Sequence, residues 1–109
     1  SRPQVLIKRP RSASGSDVPE TQVKGTSTLA TPFLRCYKEA LKRRPALRGT
    51  LVLGLKVASD GSVEEARMEL SSLGDEPLAS CAVAETQKAK LMAGSGRISL
   101  TLLFGSRDD

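Results

Sequence analysis

The only thiols among these 109 residues belong to Cys36 and Cys81, and the chain contains no histidine. Without an imidazole, Ser-His-Asp and Cys-His arrangements are excluded, and so are most zinc sites. The two cysteines are far apart rather than in C-x-x-C spacing, which argues against a redox-active pair. Acid–base chemistry needs two carboxylates facing a cleft. Asp60, Glu64, Glu65, Glu69, Asp75 and Glu76 instead gather around turns and strand surfaces, where solvated charge is the ordinary state. Gly94-Ser95-Gly96-Arg97 has the small residues of a phosphate loop, but it precedes a strand rather than a helix N-terminus. No catalytic residue, metal or cofactor is expected, and the pattern points to a binding module rather than an enzyme.

Cys36 and Cys81 admit two states. As free thiols they would be small apolar core residues, where unpaired cysteines usually sit. As a disulfide they would tie two helices together across the core. Three features favour the disulfide: each cysteine holds the same relative place in its helix, the core is small with only 3% aromatic residues, and no metal partner exists. Such a closed loop contributes about 3–4 kcal/mol on the chain-entropy model, and it implies an oxidising compartment.

The net charge of +5 comes from 17 basic and 12 acidic residues, so the surplus is mild. It concentrates at Lys38, Lys42, Arg43, Arg44 and Arg48, with a second cluster at Lys8, Arg9 and Arg11. Nothing aromatic interleaves with these cations to stack on bases, so they are expected to form a solvated basic surface, and nucleic acid is not an expected partner. No apolar run reaches membrane-spanning length, and no signal peptide is expected within these residues. The chain starts with Ser in a polar segment and is expected to be a piece of a longer protein, with any anchor upstream.

The elements that must position these residues follow from periodicity. Residues 1–29, rich in Ser, Pro, Gly, Thr and charge, are expected to be a flexible linker, because they bury too little apolar surface to offset their ordering entropy. Their one apolar island, Val5-Leu6-Ile7, carries the alternative of an extra edge strand. Thr31-Pro32 signals a helix start, with the hydroxyl at the N-cap and proline in the first turn. Phe33, Cys36, Tyr37, Ala40 and Leu41 then fall on one face, and Pro45 ends the helix. From Thr50 the period becomes two, with Leu51, Leu53, Leu55 and Val57 on one side. Asp60-Gly61 is a hairpin turn, since Asp-Gly accepts positive φ. Val63, Ala66, Met68 and Leu70 form the return strand, and the parity change between Val63 and Ala66 predicts a bulge. Asp75-Glu76-Pro77 starts a second helix bearing Leu78, Cys81, Ala82, Glu85 and Ala89 on one stripe. Gly94-Ser95-Gly96 breaks the chain before a last strand with Ile98, Leu100, Leu102 and Phe104 on one face.

The expected class is α+β in the order α-β-β-α-β, with two helices on one face of a three-stranded antiparallel sheet. The domain is expected over residues 30–106, with a charged tail at 107–109. In such a sheet the last strand is an edge with unpaired backbone groups, open to an extended peptide by strand addition. That strand is expected over Arg97 to Phe104. A second possibility is an assembly module that docks through the basic first helix without taking a peptide strand.

The run FLRCYKEALKRRPALRGTLVLGLKVASDGSVEEARMELSSLGDEPLASC resembles the TonB C-terminal domain family. Gly49, Leu51, Leu53, Leu55, Val57, Asp60, Gly61 and Val63 fall on that family's G-x-v-x-v-x-f-x-V-x-x-D-G-x-V frame, and RISLTLLF is similar to its last strand. Closer still is the AgmX/PglI C-terminal branch of gliding-bacteria envelope proteins, whose C-Y and L-x-x-C helices are matched by Cys36-Tyr37 and by Leu78 to Cys81. The resemblance covers about residues 30–105. It implies a periplasmic domain hung on a long linker from an inner-membrane anchor, joined to the motor complex through the N-terminal part. It also implies that an outer-membrane or periplasmic protein segment is captured along the last strand, pairing with Arg97, Ile98, Ser99, Leu100, Thr101, Leu102 and Leu103. The Tyr-Pro before the first helix and the W-R-F/Y after the second are absent, with Lys90-Leu91-Met92 in the latter place. A gliding-motility or envelope-complex role is therefore preferred over nutrient uptake. A monomer and a strand-exchanged homodimer both fit.

Overall fold

The computed structural model describes residues 2–15, 17–91 and 96–107. Gly94 and Ser95 of the expected chain break, Met92 before it, and Asp108 and Asp109 of the expected tail lie outside the described residues.

Two long strands fix the architecture. Strand β3 (Gly49–Val57) buries Leu51, Leu53, Leu55 and Val57, and strand β5 (Gly96–Arg107) buries Ile98, Leu100, Leu102 and Phe104, each set on one face at period two. They pair antiparallel, with Leu53 opposite Leu100 and Leu51 opposite Leu102, so the two stripes form one apolar floor. Helix α2 (Ala30–Arg43) covers it with Phe33, Cys36, Tyr37 and Ala40, and helix α3 (Glu76–Lys88) adds Leu78, Ala79 and Ala82 to the same core. Within that core the Tyr37 and Phe104 rings meet edge to face at 5.2 Å. The buried Tyr37 hydroxyl donates to the Leu47 carbonyl at 2.5 Å, which satisfies its polar end.

Helix ends follow the sequence signals with one shift. Asp75 caps α3 by accepting from the Leu78 N–H at 3.0 Å, and Pro77 lies in its first turn. Helix α2 starts at Ala30 rather than after a Thr31 cap, because the chain enters it from a preceding helix with Leu29 already in the right-handed region. Pro32 still falls in the first turn, where no N–H is needed, and the helix stops before Pro45.

Strand β4 (Val63–Ser71) returns from β3 through a turn centred on Asp60 and Gly61. Gly61 adopts φ +90°, and Asp60 Oδ1 accepts from both the Ser62 N–H and hydroxyl. The expected bulge is present: Lys56 opposes Glu65 and Val57 opposes Val63, leaving Glu64 as the extra residue. A second bulge was not expected. Val52 opposes Leu70 while Leu53 opposes Met68, so Glu69 is extra and the parity flips again. Leu70 therefore turns to the uncovered face and is 66% exposed, and Met68, at the strand edge, is 51% exposed. The same bulge lays the Glu69 carboxylate over Gly54, where a Cβ would come within 2.7 Å of it.

The sheet is larger than the three strands expected. Among the described residues it has five, in the order β1-β5-β3-β4, with β2 also on β5. Strand β1 (Arg2–Ile7) and the two-residue strand β2 (Arg11–Ser12) come from the segment expected to be linker, and helix α1 (Glu20–Ser27) follows them. The apolar island at Val5 to Ile7 docks as the alternative expectation held, with Val5 and Ile7 packing against the core. Val18 and Leu29 are buried in that core, and Gln22 and Thr26 of α1 are also buried. Polar composition hides this because few apolar side chains suffice when the remaining burial is by small polar groups with partners, such as Thr26 Oγ1 donating to the Val23 carbonyl.

Candidate functional site

The expected partner-binding strand is β5, and its surroundings decide what it can do. It is not an edge. On one side β3 pairs with it from Gly96 to Phe104. On the other, β1 pairs antiparallel with Leu102 to Arg107, and β2 pairs with Ile98 and Ser99. The joint between the two segments is carried by the Lys8 N–H on the Thr101 carbonyl at 2.9 Å, and the Ala13 N–H bonds the Arg97 carbonyl at 2.9 Å. Arg97 to Leu103 are therefore in place along one strand, with their outer side held by the N-terminal segment of the same chain. The sequence missed this because both cover strands are short and lie at the opposite end of the chain from β5.

The side chains of β5 split between two environments. Ile98, Leu100 and Leu102 are buried beneath the helices, while Ser99, Thr101 and Leu103 are half-buried on the uncovered face. Arg97 on that face lies 3.6 Å from Glu65 of β4. A strand seated on the outer side of β5 thus has one face against α2 and the other toward solvent.

Among the described residues the free edges of the sheet are β4 and the outer side of β1. Strand β4 carries two bulges and the charged residues Glu64, Glu65, Arg67 and Glu69, all of which blunt an edge against pairing. Beside it a cleft of about 490 Å³ runs between β4 and α3, with Met68, Ala79 and Val83 in its walls.

The cysteines form the expected bond. Cys36 and Cys81 are joined in a disulfide across a sequence separation of 45, with Cα atoms 5.8 Å apart, and it ties α2 to α3. A loop of that length corresponds to about 4 kcal/mol in the chain-entropy model.

The basic surface is divided by the fold. Arg43 makes a two-pronged contact with Asp75, both bonds at 3.0 Å, and Arg44 reaches the same carboxylate at 3.4 Å and the Gly74 carbonyl at 2.7 Å. Asp75 is only 6% exposed, so this is a second tie between α2 and the start of α3. The Arg43 hydrogen bonds, aided by the Leu78 N–H and Arg44, outweigh the cost of burial and hold the Asp75 carboxyl down to about 2. Lys42 pairs with Glu39 at 2.6 Å, while Lys38 and Arg48 point to solvent. Docking through this cluster would therefore have to compete with Asp75 for two of its five cations. The available signal was an acidic N-cap on one helix and an Arg-Arg pair ending the other, but nothing in their spacing said that the two ends meet.

Burial raises the Tyr37 hydroxyl above its ordinary range, in keeping with a structural role. The Ser62 hydrogen bonds lower Asp60, which serves the turn rather than a reaction. Among the described residues no group of His, Cys, Asp and Glu has the arrangement to hold a metal ion, and no helix is long and apolar enough to cross a membrane. Comparison with protein-family models, with curated proteins and with solved structures finds no match to this chain.

Proposed function

We propose that this chain is the periplasmic partner-binding domain of an envelope-spanning transducer of energy or force, of the gliding-motility type and with a TonB-like fold. It engages an outer-membrane or periplasmic protein by taking an extended segment of it alongside β5. The supporting observation is that the outer side of β5 already accepts an extended segment, β1, in an antiparallel register of six residue pairs. That side thus has the backbone geometry that strand addition requires, with α2 as a wall for alternate side chains, and a partner segment takes it in place of β1. The disulfide fits an oxidising compartment such as the periplasm.

The test is capture from bacterial envelope extract on the immobilised, oxidised domain, followed by amide mapping of the complex. The expected result is an envelope protein whose extended segment shifts the amides of Arg97 to Phe104. Failure to capture any envelope protein, or a captured protein that leaves those amides unmoved, would contradict the proposal.

A further inference from the structure

Among the described residues, β1 and β2 are the strands with no buried residue. In β1, Pro3, Val5 and Ile7 are half-buried, while Arg2, Gln4 and Leu6 are exposed. In an antiparallel ladder hydrogen-bonded and non-bonded pairs alternate. The Lys8 bond to Thr101 therefore assigns the bonded pairs to Leu6 with Leu103 and Gln4 with Gly105. Pro3, Val5 and Ile7 then turn their backbone groups outward and their side chains toward the helices. Proline at position 3 costs no ladder bond there, and it blunts the outer edge of β1.

We infer that β1 is an exchangeable occupant of this strand site and that its pattern describes the partner segment. The inference rests on strand capture at β5. The segment runs antiparallel to Thr101–Arg107, places aliphatic side chains at two alternate positions against α2, and needs no particular side chain on the open face. Releasing β1 gives up one short ladder and the partial burial of Val5 and Ile7. It leaves the floor of β3 and β5, both helices and the disulfide intact, so its opening lies well below global unfolding. A segment of like pattern restores the same contacts, so exchange is near balance, and its apparent affinity is reduced by the fraction of time that β1 is seated. Strand β2 sits on its own register at Ile98 and Ser99, which confines exchange to the stretch beyond it.

The probe is a synthetic peptide of residues 2–10, RPQVLIKRP, titrated by amide NMR into the full oxidised chain and two full-chain variants. In Val5→Asp with Ile7→Asp the resident strand is weakened, and the peptide is expected to bind at least about tenfold more tightly than to the parent. It should shift Thr101, Leu103 and Gly105. In Leu6→Cys with Leu103→Cys, a cross-strand bond fastens β1, and peptide binding should be lost while the spectrum stays folded. Equal affinity for the parent and the Asp variant, or shifts on β4 instead of β5, would overturn the inference. So would undiminished binding to the fastened variant. If the Asp variant loses its dispersed spectrum, β1 is an integral part of the body and the inference also fails. Because the peptide comes from the chain itself, these results do not depend on any envelope partner. Capture of such a partner equally well by the parent and the fastened variant would leave room for the proposed function while removing β1 from it.

Discussion

Strands β3 and β1 flank β5 from opposite sides, and they differ in how deeply they are anchored. Strand β3 contributes four buried aliphatic residues to the core, whereas β1 contributes none that is fully buried. The two use the same backbone hydrogen bonds, so the ladder alone does not set their stability. Burial and cross-ties set it. The body is fastened between α2 and α3 by Cys36–Cys81, by Arg43 and Arg44 on Asp75 and, more loosely, by Arg35 on Glu85 at 3.8 Å, while β1 rests on the half-burial of Val5 and Ile7. One strand can thus be given up while the other cannot, which is what a site for an exchangeable segment requires.

The largest effect on this contrast should come from the disulfide. Cys36→Ser with Cys81→Ser is expected to lower global stability by about 4 kcal/mol on the loop-entropy model, read by urea unfolding. The change belongs to the body, so it should bring the global opening of β3 down toward the local opening of β1. A loss below about 1 kcal/mol would mean that the helices are held mainly by their packing.

Asp75→Ala comes next, removing the α3 cap together with the anchor for two arginines, and should cost about 1–2 kcal/mol from the cap alone. Its pH signature is specific. The folded carboxyl lies at about 2, below the unfolded value near 4. Its stabilisation is therefore complete above about pH 4 and lost as pH falls toward 2. Acid titration of the variant should show a shallower fall in stability than the parent over that interval.

Single Val5→Ala and Ile7→Ala substitutions should each cost global stability less than about 1 kcal/mol, since neither side chain is fully buried. Their effect on the protection of β1 amides should exceed their effect on the body. The smallest change is expected for Leu70→Gln, on the open face of β4, which should stay within about 0.5 kcal/mol by thermal unfolding. A larger loss would show that Leu70 is covered in solution.

Much of the body was legible in the sequence because its signals are local. The stripe of α2, the alternation of β3, the Asp-Gly turn and the Asp75 cap all lie within a few residues of what they determine. The bulge at Glu64 was legible as a change of parity. The bulge at Glu69 was not, since Met68 and Leu70 keep the spacing of an unbroken strand and only the register with β3 separates them. Strand β1 was visible as an apolar island, but its partner lies at the other end of the chain, and composition weighs local sequence rather than distant pairing. Helix α1, ETQVKGTS, has weak helix formers, and it is buried through Gln22, Gly25 and Thr26 rather than through an apolar stripe. For the candidate site, the residues of β5 were legible and their cover was not.

Native-state hydrogen exchange of the oxidised chain tests the exchangeable strand most directly. The amides of Gln4, Leu6 and Lys8 should exchange through a local opening far easier than that of the β3 amides bonded to β5, with little dependence on denaturant. If they exchange only with global unfolding, at the rate of the β3 amides, then β1 is a permanent part of the sheet and β5 is not a site for another strand.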